Sequence, residues 1–278
     1  MKVKKKSIAV MILNRNLPKV TERLRLNIKK YNKSISDIYI IDSGSKKKGV
    51  SKYTNFKANW RSAKKKGLRF SRGMNFGLGK LWELNKFDQY EYFLLLTNDT
   101  VVPKNQFVKK LANIMNKNPK IGILSPCSKR WGEKNYLKEN KLKFFWFIHN
   151  NAYFLRKKFI LDIMSKNKPH YMNFLFDGKN FRGYGMESEL IAKGYLNDWG
   201  SAITSEVFVE ENESYLLNHS QLIKTEPYNK NLELYINEGN EWMHKKYGFK
   251  SKWAMQMYVK RFYDLFFETN PSMKKFQI

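Results

Sequence analysis

The sequence predicts an α/β fold: a mostly parallel, twisted sheet with helices on both faces, followed by C-terminal helices. Three observations carry that expectation. Short apolar, β-branched runs alternate with helically spaced segments as far as Leu124. The runs are apolar at nearly every position, as strands covered on both faces must be. Polar residues close them, at the strand ends where open α/β sheets bind ligands.

Ser7–Leu13 is the first such strand. Pro18 then opens a helix to about Tyr31, with Val20, Leu24 and Ile28 at helical spacing. Asp37–Ile41 is the next strand, closed by the turn Asp42-Ser43-Gly44-Ser45, and a short strand is expected near Phe56. Ser71 is placed to cap a helix reaching Asn85. Tyr92–Leu96 is a strand ending in Thr97-Asn98-Asp99-Thr100; Pro103 begins a helix to Asn116; Ile121–Leu124 is a further strand. Beyond Pro126 the alternation loosens. A strand over 151–155 and a helix over 157–164 are followed by Gly183-Tyr184-Gly185, a helix holding Glu187 and stopped by Gly194, and a strand over 203–209. Leu232–Tyr247 and Trp253–Phe267 are helical, with Gly248 between them. The expected division is 1–225 as the main domain, with halves 1–126 and 127–225, and 226–278 as a helical extension.

The charge is large and unevenly placed. Of 278 residues, 53 are Lys or Arg and 24 are Asp or Glu, a formal charge of +29. Residues 1–170 hold 40 basic and 10 acidic side chains, whereas residues 171–278 hold 13 and 14. A compositional bias towards Lys codons predicts basicity throughout; the segregation points instead to a polyanionic partner. Hydrophobic residues at 42% exclude a disordered chain. The longest nearly apolar run, Phe144–Leu155, is interrupted and too short to span a bilayer. Lys2, Lys4, Lys5 and Lys6 precede a run of only six apolar residues without a cleavage site, which reads as a strand rather than a signal peptide. With the single Cys127, these features fit a cytoplasmic protein, with a peripheral membrane location as the alternative.

Three acids stand at chemically useful places. Asp42 and Asp99 end adjacent-looking strands facing the ligand crevice, where a carboxylate can hold a divalent cation or a nucleotide. Glu187 begins a helix and can deprotonate an acceptor hydroxyl. Each alone is an ordinary turn or first-turn residue; their order gives them weight.

That order resembles family 2 glycosyltransferases of the GT-A fold. The resemblance rests on Ile12-Leu13-Asn14-Arg15 after the first strand and Asp42-Ser43-Gly44-Ser45 after the second. It continues with Gly67 through Gly77, including Asn75-Phe76-Gly77, then Leu95-Leu96-Thr97-Asn98-Asp99-Thr100, and Gly185-Met186-Glu187-Ser188-Glu189-Leu190 with Gly194-Tyr195 beyond. It covers about residues 7–220. The resemblance implies an inverting transfer from a nucleoside-diphosphate sugar. Asp42 would contact the nucleobase, with Asn14, Arg15, Arg72, Asn75 and Asn98 also on the donor side. Asp99 would hold Mn2+ or Mg2+ on the pyrophosphate, His219 would be a further metal ligand, and Glu187 the general base. Thr97 replaces the first acid of the Asp-x-Asp motif, and Met186, Glu187, Ser188 and Glu189 replace its Glu-Asp-x-Asp run.

The segment after the metal motif is expected to bind the acceptor. Lys129, Arg130, Trp131 and Trp146 combine cations with aromatic faces, which grip phosphates and stack bases. Hydroxylated bases of viral DNA are slightly favoured as acceptor; the rival is a surface or lipid-linked glycan at an anionic membrane. Phe144 and Phe145 are expected in the core. The last helix is expected to pack as a lid, with a membrane-surface role as the alternative. No obligate protein partner is expected. A non-catalytic nucleic-acid-binding protein on a degenerate transferase fold is the second class, which Thr97 and Met186 favour. A nucleotidyltransferase is the third, although its Gly-rich basic signature after the first strand is absent.

Overall fold

The computed structural model describes residues 7–149, 152–212 and 226–278. Among these, the expected strands appear as β1 (Ile8–Asn14), β2 (Ser36–Asp42), β3 (Thr54–Lys57), β4 (Tyr92–Thr97), β6 (Ile121–Cys127), β8 (Ala152–Arg156) and β9 (Gly200–Phe208). Three short strands were not foreseen: β5 (Thr100–Val101), β7 (Leu142–Phe144) and β10 (Glu210–Glu211). The helices are α1 (Pro18–Asn32), α2 (Arg61–Lys66), α3 (Arg69–Glu83), α4 (Phe107–Lys117), α5 (Lys157–Ile163), α6 (Met186–Leu196), α7 (Tyr228–Tyr247) and α8 (Lys252–Thr269).

The large sheet runs β3-β2-β1-β4-β8-β6-β9-β7. The β3-β2-β1-β4 half is parallel, as is the β6–β9 pair, while β8 runs antiparallel to both β4 and β6. Every residue of β1 is buried, which accounts for its uninterrupted apolar sequence. Asp42 and Asp99 do not close neighbouring strands: β1 lies between β2 and β4, so Asn14 separates the two acids.

Helix starts depart from the sequence pattern for local reasons. Ser71 does not cap α3. The helix begins two residues earlier, after Leu68, and the Ser71 hydroxyl instead lies 3.0 Å from Met186 Sδ. α4 begins four residues after Pro103, where Asn32 of α1 accepts the Val108 N–H at 3.3 Å and donates to the Asn105 carbonyl at 3.2 Å. Gly194 does not stop α6 but lies within its last turn, where its carbonyl accepts from Asn197 N and Trp199 N, both at 2.9 Å.

The segment 226–278 shares the main core. Val259, Tyr263, Phe266 and Phe267 of α8 belong to the same buried cluster as the sheet. Phe144 and Phe145 are buried, as expected; the Phe144 ring lies 5.7 Å from that of Phe266 and stacks on that of Phe276.

α3 lies against the sheet face carrying Met11, Leu13 and Ile41, and its glycines set the distance. A Cβ on Gly77 would lie 2.2 Å from Ile41 Cδ1 and 2.6 Å from Met11 Cε, whereas one on Gly79 would meet nothing nearer than Pro169 Cβ at 3.8 Å. Gly77→Ala is therefore expected to cost about 1–3 kcal/mol of unfolding free energy through overpacking. Gly79→Ala is expected to gain up to about 1 kcal/mol from helix propensity. Chemical denaturation of the two variants measures both signs.

Candidate functional site

The parallel strands β2, β1 and β4 end side by side, and their terminal polar residues are knotted together. Asn14 donates through Nδ2 to Asp42 Oδ2 at 3.0 Å and to the Gly49 carbonyl at 3.1 Å. Its Oδ1 accepts from Thr21 Oγ1 at 2.9 Å, Leu17 N at 3.3 Å and Asn98 Nδ2 at 3.5 Å. Both amide hydrogens are used, so this fully buried side chain is satisfied within the protein. Asp42 is equally buried, and its other oxygen accepts the Ser45 N–H at 2.9 Å. Arg15 reaches over the following turn, donating from one terminal nitrogen to the carbonyls of Ser43 at 2.6 Å and Ala63 at 3.1 Å. Burial lowers its pKa, with Asp42 pulling the other way.

Asp99 follows β4 and is 5% exposed. Its position is fixed from both sides. The Thr97 and Thr100 hydroxyls lie 3.1 Å apart, and the Asp99 carbonyl accepts Asn212 N–H at 3.1 Å. Thr100, the residue after Asp99, pairs with Glu211 across the small β5–β10 sheet.

Glu187 stands in the first turn of α6, after Gly185, whose φ of +80° turns the chain into the helix. It is 7% exposed, and Lys252 Nζ, at the start of α8, lies 2.5 Å from its Oε1. The ammonium also sits 5.1 Å from the Phe147 ring centre and 5.0 Å from that of Tyr184. Burial, followed by the charges of Glu187 and Glu211, raises the pKa of Tyr153 well above its ordinary value. Tyr235 is raised by burial, then Glu187, with Glu211 adding to it. Glu187 and Glu211 thus both place negative charge near Tyr153 and Tyr235.

The remaining expected residues divide. Asn75 is fully buried and holds the 171–176 loop: Oδ1 accepts from Leu175 N and Phe176 N at 3.0 and 2.9 Å, and Nδ2 donates to the Phe176 carbonyl at 2.7 Å. Asn98 bonds inward to Asn14 and Thr21. Arg72 donates through Nε to the Gly178 carbonyl at 2.6 Å and lines a cavity of about 700 Å3 with Lys66, Lys179, Phe181 and Trp242. Lys129 and Arg130 adjoin β10, through Lys129 N to Glu210 Oε1 at 2.8 Å and Arg130 to the Glu211 carbonyl at 3.4 Å. Trp131 stacks on His149 at 4.9 Å, and His149 Nδ1 is 2.6 Å from buried Glu133. Trp146 lies under α8, 5.0 Å from the Tyr263 ring and 5.1 Å from Lys260 Nζ. His219 lies outside the described residues. No group of three or more His, Cys, Asp or Glu side chains suited to a metal ion occurs among the described residues.

Glu211, Lys252 and the Glu133–His149 pair were not singled out from sequence. The alternating strand-end signal does not reach them, because β10 has two residues and Lys252 comes from a distant helix.

No family model and no curated protein matches the sequence. Solved structures do. TarS of S. aureus superimposes with a TM-score of 0.52 at 13% identity, covering 87% of this chain and 44% of TarS. Glucosyl-3-phosphoglycerate synthase from Mycobacterium tuberculosis, in complex with Mn2+, UDP-glucose and phosphoglyceric acid, superimposes with a TM-score of 0.50 at 12% identity, covering 86% and 79%. The chain has the GT-A glycosyltransferase fold. A shorter TarS in complex with UDP-GlcNAc gives a TM-score of 0.50 at 11% identity, covering 85% of this chain and 72% of that one. The chain spans less than half the length of the longer TarS. No described helix is long and apolar enough to cross a membrane.

Asp177 ties the loop before α6 to α7. Its Oδ2 accepts from Trp242 Nε1 at 3.1 Å and Lys246 Nζ at 2.6 Å, and its Oδ1 from Lys179 N at 2.9 Å. Burial raises its pKa, but these donors outweigh burial and leave it below the ordinary value. A lowered folded-state pKa contributes stability above the unfolded value, which is lost as pH falls through the folded one. Wild-type stability is expected to fall more steeply than that of Asp177→Asn between about pH 4 and pH 2, as read from denaturation midpoints across that range.

Proposed function

We propose that the chain is an inverting glycosyltransferase that moves a sugar from a uridine-diphosphate sugar to a hydroxyl on a phosphorylated acceptor. One observation carries the reading: β2, β1 and β4 end side by side in buried polar residues, Asp42, Asn14 and the Asn98–Asp99 turn, at the C-terminal edge of the parallel strands. The uridine donor is inferred from the ligands of the structural neighbours.

In this reading Glu187 accepts the proton from the acceptor hydroxyl. The oxygen attacks the anomeric carbon, and the bond to the diphosphate breaks with its electron pair leaving on the nucleotide. Attack from the opposite face inverts the configuration and needs no covalent sugar–enzyme intermediate. Lys252 positions the Glu187 carboxylate. Asp99, with Glu211 on the strand paired to Thr100, would hold Mg2+ or Mn2+ through the one or two carboxylates such ions take beside substrate phosphates. Such an ion stabilises negative charge on the departing diphosphate. Asn14 and Asp42, both fully buried and bonded to each other, act by shaping the turns that receive the nucleoside.

A phosphorylated glycan or small acid is favoured over a DNA base as acceptor. Base capture needs free aromatic faces, but Trp146 packs under α8 and Trp131 on His149. Duplex DNA is expected to bind with steep salt dependence through the basic surface alone, without being glycosylated. A cytoplasmic location fits the single buried Cys127.

Turnover of UDP-sugars in Mn2+ is expected to fall at least about 100-fold in Glu187→Gln, with UDP binding retained. Asp99→Asn is expected to lose both turnover and Mn2+-dependent UDP affinity. Hydrolysis of a UDP-sugar panel, with UDP titrations of the same variants, checks both. Undiminished turnover in both variants would contradict the assignment, and no turnover by the native chain on any donor would favour a binding protein.

A further inference from the structure

The first turn of α3 gathers more positive charge than its surroundings cancel. Gly67, with φ +73°, and Arg69, with φ +57°, turn the chain into the helix, so that Arg69 and Arg72 lie on the same side as Arg182 from the loop before α6. All three guanidinium carbons lie 5.5, 4.5 and 5.6 Å from the centre of one ring, that of Phe181. Arg15 approaches from the other side: burial, Arg182 and Arg15 together push the Arg69 pKa down to about 10, against the pull of Glu226 and Glu238.

The carboxylates that face this cluster come from the C-terminal segment. Glu226 lies 3.5 Å from Arg69 and 2.8 Å from Arg182, Glu238 pairs with Arg182, and Asn231 Oδ1 accepts from Arg69 at 3.1 Å. These contacts leave donors unused. The Nε atoms of Arg15, Arg69 and Arg182 are buried with no hydrogen-bond partner, as is Glu238 Oε2. The Arg182 side chain is only 5% exposed, so water does not readily replace the missing partner. α3 has no acid in its first turn and no side-chain cap. The cavity of about 700 Å3 opens beside the cluster, its wall carrying Lys66, Lys179, Lys245 and Lys246 against Asp177, Glu238 and Glu241.

We propose that Arg69, Arg72 and Arg182 form a binding site for a phosphate group, held in this structure by Glu226 and Glu238, which a bound phosphate displaces. A carboxylate presents two oxygens and one charge. A phosphate presents more of both to planar guanidinium forks, so it satisfies donors that the glutamates leave unpaired. Glu226, just before α7, and Glu238, within it, then serve as the site's own competitors. The inference rests on the glycosyltransferase reading only for the source of the phosphate, which is either the donor's diphosphate or a phosphate on the acceptor.

The test is calorimetric titration of the full chain with inorganic pyrophosphate, which requires no turnover. Glu226→Gln/Glu238→Gln is expected to bind pyrophosphate about tenfold tighter than wild type, because the competitor is weakened. Arg182→Gln is expected to bind it at least about tenfold more weakly. A gain in affinity does not arise from misfolding, so the double glutamine variant decides the matter even if Arg182→Gln folds poorly. Repeating the titration with saturating UDP distinguishes the sources: if UDP blocks pyrophosphate, the site takes the donor diphosphate, and if both bind, it takes an acceptor phosphate. Equal pyrophosphate affinity in wild type and the double glutamine variant overturns the proposal. That result leaves the glycosyltransferase reading intact, which stands or falls on turnover.

Discussion

The fold and its candidate site depend on one buried amide. Asn14 ends the central parallel strand and spends its carboxamide on Asp42 at the end of β2, on Gly49 beyond it, and on Leu17 and Thr21 at the start of α1. None of these groups reaches water at that depth, and each lost hydrogen bond strands a buried partner at a cost of about 1–3 kcal/mol. The knot therefore fixes where β1 and β2 stop and where α1 begins. It also sets the floor against which Asn98 and Asp99 are placed, because Asn98 leans on the same oxygen.

Above that floor the chain returns late to close the site. β10 pairs with β5 beside Asp99, α6 presents Glu187, and α8 supplies the lysine that meets it. The acidic side chains of the last hundred residues have defined places in this closure. Glu226 and Glu238 face the arginines of α3 and the 182 loop, while Glu189 receives Lys246 at 2.7 Å and the Tyr247 hydroxyl at 2.5 Å. The neutral balance beyond residue 170 thus reflects carboxylates set against basic groups, most of them in the same part of the chain, with Arg69 and Lys120 reaching in from the preceding part.

Most of the sheet was legible because burial on both faces leaves a simple mark. β1, β2 and β4 read as apolar runs, and their polar ends lie where open sheets place ligands. The strand order was less legible: Asp42 and Asp99 read as neighbours, although β1 separates them, since pairing is a long-range property that no local pattern encodes. Helix starts failed where tertiary contacts replace local caps, as Asn32 does for α4. At the site, the order of motifs pointed to Asp99 and Glu187 as candidates but could not reveal that Asn75 is engaged entirely by the 171–176 loop. Nor could it show that Lys252, 65 positions beyond Glu187 in the sequence, contacts it. Those facts follow from how distant segments meet.

The central claim is that a nucleotide diphosphate sits between Asp99 and Glu187, over the ends of β1, β2 and β4. A crystal structure of the chain with UDP and Mn2+ tests it most directly. The account predicts uracil above the Asp42 turn, diphosphate oxygens within reach of Asp99 and its bound ion, and Glu187 facing them across the space where the sugar would lie. UDP bound away from Asp99, or with Glu187 turned onto a separate surface, would contradict it.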